Sequence, residues 1–322
     1  MPRLLYWTTA IALACAGAPA FAQDFPRRPL RMVVPWAPGG AADRLARTLG
    51  QKMSEHWTQQ VVVDNRPGAN GIIGTELAAR APADGYTVLM GATGPNSVLP
   101  SLVAKLPYDA LRDFAPISLV ATTTYVLSVH PSLAVSSVKD LIAYAKTRPG
   151  QLTFGSPGAG TPNHLSGEMF KAATGIDMQH VPYKGSALVI TDVMGGQITL
   201  AFENIAPVLP IIKSGKLRAL AISASKRSAL LADVPTVAES GFPGFQAVGW
   251  FGVLAPAGTP ALTITRLNQE TVRILKLADV RDRLLGMGME IFGSTVEEFA
   301  AFEKSEIEKW AKVVKNANVR IE

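Results

Sequence analysis

The chain has 322 residues, 48% of them hydrophobic, and 31 Lys and Arg against 25 Asp and Glu give a formal charge of +6. That length supports two domains of ordinary size, each with its own core. The basic residues are scattered, with no stripe interleaving them with aromatics, so the mild excess excludes a nucleic-acid signature and slightly favours small anionic ligands.

Arg3 precedes an apolar run over 4–16, and Ala20-Phe21-Ala22 has the small-x-small form that signal peptidase accepts. Residues 1–22 therefore read as a secretory signal, and the exported, periplasmic chain is expected to begin at Gln23. The run is shorter than the ~20 residues of a membrane span, which argues against an anchor. A lipoprotein alternative at Cys15 has Ala12 rather than Leu three residues before it. Cys15 is the only cysteine, so export removes any disulfide or thiol nucleophile and the fold must rest on packing.

Strand-like and helix-like segments then alternate. Strands are expected at 31–34, 60–65 and 87–91 and helices at 41–55, 71–80 and 96–104. An extended run rich in Val and Thr covers 116–130. The middle of the chain predicts strands at 152–154, 179–181, 199–202 and 219–223, with helices at 138–147, 162–173, 188–195 and 206–214. After a Pro- and Gly-rich stretch at 235–244 come a strand at 249–254 and helices at 260–276 and 296–316. The alternation argues for an α/β protein with parallel sheets flanked by helices. The two extended runs look like crossovers, so one domain is expected to comprise 23–124 and 249–322 and the other 125–248.

Two glycine-rich segments link a strand to a helix start: Pro35-Trp36-Ala37-Pro38-Gly39-Gly40-Ala41-Ala42-Asp43 and, about 120 residues later, Gly155-Ser156-Pro157-Gly158-Ala159-Gly160-Thr161-Pro162-Asn163-His164. Glycine lets backbone approach a ligand closely, and the free N–H groups and positive dipole end of a first helical turn suit a carboxylate or phosphate. Two such turns suggest two halves closing on one small anion. Their position strengthens this, since ligands of open α/β sheets bind outside the carboxyl ends of the strands.

These segments, with Asn65-Arg66-Pro67-Gly68-Ala69-Asn70-Gly71, Val181-Pro182-Tyr183-Lys184-Gly185 and Gly215-Lys216-Leu217-Arg218-Ala219-Leu220, resemble those of the Bug, or TctC-like, receptors. These are the periplasmic solute-binding subunits of tripartite tricarboxylate transporters. The resemblance runs through essentially the whole exported chain. It implies a two-domain periplasmic-binding-protein (Venus flytrap) fold, a small carboxylate ligand, no enzymatic activity and a membrane transporter as partner. A sensor of the same fold, feeding a signalling partner, is the alternative. No cofactor, metal or nucleic acid is expected, and the chain is expected to be a monomer.

By position the resemblance assigns Trp36, Gly39 and Gly40 to the cleft, with Trp36 covering the ligand. Thr93 and Asn96 of the third-strand turn, and Ser156, Gly158, Gly160, Thr161 and Asn163 of the second glycine turn, would supply hydroxyl, amide and N–H donors. Tyr183, Lys184 and Gly185 would border the site from the second domain. Family members commonly carry Phe-Asp-Asn or Phe-Asp-Ser where this chain has Phe202-Glu203-Asn204, so the longer Glu203 is expected to read the far end of the ligand.

Taken alone, several of these residues also fit local roles. Asp43 suits the first turn of its helix better than the neighbourhood of an anion. Thr161-Pro162 reads as an N-cap followed by proline at the first helical position. His164 and Glu168, four apart, are expected on a helix surface rather than on a metal. The chain lacks a Gly-x-Ser-x-Gly elbow, a P-loop and a His-Glu-x-x-His motif; a hydrolase using Ser156 with His164 is a third, weaker reading.

Overall fold

A computed structural model describes residues 25–319; the expected signal, the Gln23 start and Cys15 lie outside the described residues. The first half opens with β1 (Leu30–Val34), α1 (Ala41–Trp57), β2 (Val61–Asn65), α2 (Ile72–Ala79) and β3 (Thr87–Ala92). Strand β1 lies between β2 and β3, parallel to both, with Leu30 opposite Val61 and Met32 opposite Val88. Both of its faces are covered, so Met32, Val33 and Val34 are fully buried, as expected of a parallel strand flanked by helices.

A wide turn over Gly94–Val98 and the single-turn α3 (Leu99–Leu102) follow β3. The 16-residue β4 (Phe114–Val129) then carries the chain away. Next come α4 (Val138–Lys146), β5 (Leu152–Ser156), α5 (Pro162–Thr174), β6 (Met178–Pro182), α6 (Ser186–Met194), β7 (Leu200–Asn204), α7 (Ile205–Lys213) and β8 (Arg218–Ile222). Strand β9 (Val248–Pro256) returns it to α8 (Ala261–Leu275), α9 (Ala278–Gly286), β10 (Met289–Ile291) and α10 (Val296–Ala317).

The strand order is β2-β1-β3-β9-β4-β7-β5-β6, with β8 and β10 also paired to β4. Along β4 the partners change at one point. Phe114 to Thr124 pair antiparallel with β9, whereas Tyr125 to Val129 pair with β7 on one side. Strand β10 flanks Ala121 to Thr123, and β8 flanks Val126 to Val129. The fold is thus α/β and two-domain, with crossover strands between a sheet in each half. One core gathers Met32, Leu45, Val88, Val253 and Leu267, another Phe154, Phe170, Leu200, Phe202 and Leu220. Ser223, fully buried, ties the crossovers together: its hydroxyl donates to the Ala247 carbonyl and accepts the Tyr125 N–H at 2.9 Å.

Three features depart from the sequence expectation. The sheets are mixed rather than parallel, because the two crossovers run in opposite directions and pair with each other antiparallel. The expected 96–104 helix is a wide Gly94–Val98 turn followed by one α-helical turn, since Pro95 and Pro100 interrupt the regular ladder. And α10 serves both halves. Its capping box is complete: Thr295 accepts the Glu298 N–H, and the Glu298 carboxylate accepts the Thr295 N–H at 2.9 Å. Phe299 packs edge-on to Trp250 in the first half, while Trp310 and Val314 belong to the core of the second.

Candidate functional site

A cavity of about 300 Å³ lies where the two halves meet, at the carboxyl ends of β1, β3 and β7 and along the crossovers. The first half contributes Trp36, Gly40, Ala41, Ala42, Asn70, Thr93, Gly94, Pro95 and Leu99. Thr123, Tyr125, Gly249, Trp250 and Phe251 line it from β4 and β9, and Gly160, Thr161, Pro162, Asn163 and Asn204 close it from the second half. None of the residues lining it is Asp, Glu, Lys, Arg or His.

Helix starts take the place of side-chain charge. Gly40 is the N-cap of α1, Thr161 of α5 and Asn204 of α7, and all three line the cavity. Gly40 has no side chain, so the α1 start presents N–H groups at the cavity that its own cap leaves free, while the Asn204 side chain makes no capping bond to α7. Such groups, with the aligned peptide dipoles, stabilise an anion. Thr93 adds a hydroxyl whose oxygen accepts the Trp250 N–H at 2.7 Å, leaving its proton to donate. Trp36 is half-buried, packing on the first core while facing the cavity.

The first turn is wired from behind by Asp43, which is 3% exposed. Its carboxylate accepts the Gly39 N–H at 2.9 Å, Arg47 Nε at 3.0 Å and Asn65 Nδ2 at 3.0 Å; Asn65 also donates to the Trp36 carbonyl. Burial pushes this carboxyl up, but the bonds from Arg47, Gly39 and Asn65 outweigh it and hold it below the usual range. Asp43 is thus engaged with its own turn, as the sequence suggested.

Of the residues singled out in the sequence, Trp36, Gly40, Thr93, Gly160, Thr161 and Asn163 come together on the cavity wall. Gly39, Asn96, Ser156, Gly158, Tyr183, Lys184, Gly185 and Glu203 are not on it. Asn96 is fully buried and its Oδ1 accepts the Ala92 N–H at 3.1 Å, which closes the turn after β3. Ser156, also fully buried, donates to the Gly158 carbonyl at 2.9 Å and meets His180 Nε2 at 2.7 Å. Tyr183 donates to Asp192 at 2.6 Å, Lys184 is exposed, and Gly185 is the N-cap of α6.

Several expected donors are already committed within the protein. The Gly160 N–H donates to His164 Nδ1 at 3.0 Å. Thr161 donates to the Gly158 carbonyl at 2.8 Å and caps the His164 N–H, and Asn163 Nδ2 donates to the Phe202 carbonyl at 2.8 Å. Glu203 is fully buried, 3.4 Å from Asn163 Nδ2, with one carboxyl oxygen lacking a partner; burial pushes it up to about 8. At neutral pH it is mostly a neutral acid, which removes the charge expected to repel a second carboxylate.

His164 is buried and Glu168 part-buried, rather than both standing on an open helix surface. His164 stacks on His180 with centroids 3.7 Å apart, and Ser156 meets His180 instead of His164, contrary to the hydrolase pairing. Burial, then for His164 the adjacent His180 ring and for both the Lys171 ammonium, lowers His164 to about 3 and His180 to about 4, so both are neutral at pH 7 and His164 Nδ1 remains an acceptor. Among the described residues no three His, Cys, Asp or Glu side chains gather as a metal site. None of their helices is long and apolar enough to cross a membrane.

The sequence reading passed over the wall formed by Thr123, Tyr125, Gly249, Trp250 and Phe251. The signal was the crossing of two extended runs, because a cleft between halves must be floored by the strands that join them.

The profile of the tripartite tricarboxylate transporter family receptor, TctC, matches residues 45–319. Protein BugT of Bordetella pertussis is 40% identical over 324 residues, covering 100% of this chain and 99% of that protein. The structure of R. palustris Rpa4515 with adipate superposes with a TM-score of 0.82 at 38% identity, covering 92% of this chain and 99% of that one. The periplasmic binding protein BugD gives 0.77 at 34% identity, covering 92% and 99%. Matched over nearly its whole described length, the chain belongs to the TctC family of tripartite tricarboxylate transporter receptors, which are substrate-binding proteins and not enzymes.

Proposed function

We propose that this protein is a periplasmic receptor that captures a small carboxylate and delivers it to the membrane subunits of a tripartite tricarboxylate-type transporter. The observation that carries the reading is the uncharged cavity between the halves, walled by the α1 start, whose N–H groups its glycine cap leaves free, by Asn204 at the α7 start and by the Thr93 hydroxyl. A carboxylate that leaves water must recover its hydrogen bonds, and donors fixed in the fold meet that need without an ordering cost. The adipate bound by a relative at 38% identity supports the ligand class. Trp36 forms the cover and hinge motion about the crossovers closes the cleft. The halves divide at 124/125 and 248/249, the first of these being where β4 changes partners.

By the ~30 Å³ share of one water, 300 Å³ holds a ligand of on the order of ten non-hydrogen atoms. Native mass spectrometry of protein purified without denaturation should therefore retain a small acid. Thermal-shift screening should give shifts with mono- and dicarboxylates and none with neutral sugars. The reverse pattern would overturn the ligand class. Loss of uptake of that acid in a deletion strain supports transport; intact uptake with a lost transcriptional response would instead identify a sensor.

A further inference from the structure

The crossovers do more than join the halves. Tyr125 is the first residue of β4 to pair with the second half, directly opposite Asn204 on β7. Cross-strand partners project from the same face of a sheet, and so does Thr123, two residues earlier on β4. All three side chains belong to residues lining the cavity. The Tyr125 hydroxyl lies over Gly249 so closely that a Cβ at that position would come within 2.8 Å of it, and within 2.8 Å of Thr123 as well. Gly249 is therefore glycine to admit the phenol, not for its dihedral.

Tyr125 is 3% exposed, yet its hydroxyl makes no hydrogen bond to any described residue; only its backbone is tied, by Ser223. Asn204 Oδ1 accepts from Thr123 Oγ1 at 3.3 Å, which orients the amide and leaves Nδ2 without a protein acceptor. Two donors thus stand unused at the edge of the cavity, on the residue pair where the two halves begin to share a sheet. Neither atom is sealed inside the core; both belong to residues of the cavity wall, where a ligand or water supplies the acceptor they lack.

We propose that Tyr125 and Asn204 form a second recognition point that binds an acceptor group at the far end of the ligand and so selects diacids over monoacids. The first point is the α1 start at Gly40 to Ala42, which follows β1. Strand order places β1 three inter-strand steps from β4, up to ~14 Å along the curled sheet. One small carboxylate does not reach both points; a linear acid with acceptors at both ends does. Burial, with Glu203 and Glu306 nearby, pushes the Tyr125 phenol well above its usual range, so it remains a donor at any working pH. The neutral Glu203 behind Asn163 does not oppose a second carboxylate. Tyr125 also couples recognition to closure, since its ring sits on the strand about which the halves turn.

The inference rests on the carboxylate reading above, and the test separates the two. Calorimetric titrations of wild type, Tyr125→Phe and Asn204→Asp use succinate, glutarate and adipate beside butanoate, pentanoate and hexanoate. Wild type should prefer a diacid to the monoacid of equal length. Tyr125→Phe should weaken that diacid roughly ten- to hundredfold while changing the monoacid little, as expected of one hydrogen bond to a charged group. Asn204→Asp keeps the acceptor for Thr123 but replaces the amide donor with a carboxylate, and should weaken diacids further. Equal losses for both ligand types would show a merely structural role, and unchanged diacid affinity in both variants would show no contact; either overturns the inference. Wild type that binds monoacids as well as diacids also overturns it, leaving the carboxylate reading intact. Wild type that binds none of the six overturns both.

Discussion

Glu303 offers a quantitative test of how α10 is docked. Its side chain is 2% exposed, one carboxyl oxygen has no hydrogen-bond partner, and burial alone pushes it up to about 8. In the unfolded chain the group titrates near 4.5. Between those values the folded protein holds a proton that the unfolded chain has lost, so stability falls as pH rises, by about 1.4 kcal/mol per pH unit for one group. From pH 6 to pH 8 the loss is about 2 kcal/mol, and Glu203, shifted in the same direction, adds a comparable amount. Glu303→Gln keeps the shape of the neutral acid and removes its titration. The variant should melt close to wild type at pH 6 and roughly 4–8 °C above it at pH 8. Differential scanning calorimetry at pH 6, 7 and 8 measures this. Parallel curves for the two proteins would refute the assignment of a buried, protonated Glu303.

Gly40 has φ −73°, and a Cβ there would meet only the Ala37 carbonyl, at 3.9 Å, so Gly40→Val should fold normally. Its branched side chain would occupy the ligand's place, and calorimetry should show at least about a tenfold loss of affinity. Gly160 has φ +74° and donates to His164, so Gly160→Val should cost stability as well as binding, lowering the melting temperature where Gly40→Val does not. The rings of His164 and His180, lowered to about 3 and 4, should show no titration in NMR spectra between pH 8 and pH 5.5. Because both are held below their unfolded value, they contribute stability present above pH ~6.5 and lost as pH falls toward 4. Intact mass of the exported protein should correspond to a start at Gln23; a species retaining residues 1–22 or a lipid on Cys15 would refute cleavage there.

Most of the architecture was legible because its signals are local. Glycine turns after apolar runs marked β1–α1 and β5–α5, and the Val- and Thr-rich run marked β4. What escaped was set by contacts distant in sequence. Strand β10 has three residues, too few for a period, and exists because Met289 to Ile291 find an open edge on β4. Three of the expected ligand contacts lay on the right turns but are taken up inside the protein, because Ser156, Asn96 and Tyr183 found nearer partners in His180, the Ala92 N–H and Asp192. Tyr125 was invisible for the opposite reason. Nothing in a run of buried strand residues announces that one hydroxyl emerges into a cleft assembled from β7 and β9.

The packing of α10 bears on how far the cleft can swing. Two adjacent strands, β4 and β9, act like the knuckles of a door hinge and leave one rotational freedom. A third link set off that axis acts as a stay. Helix α10 is such a link, rooted by Phe299 beside Trp250 at one end and by Trp310 within the opposite core at the other. Its 22 residues measure about 33 Å and resist stretching, so rotation must either lever Trp310 from its socket or be absorbed as bending of the rod. Close packing makes the first option costly for all but small angles. The receptor should therefore move through a shallow arc with a restoring force, and shortening the chain before Trp310 should widen that arc while leaving the cavity walls in place.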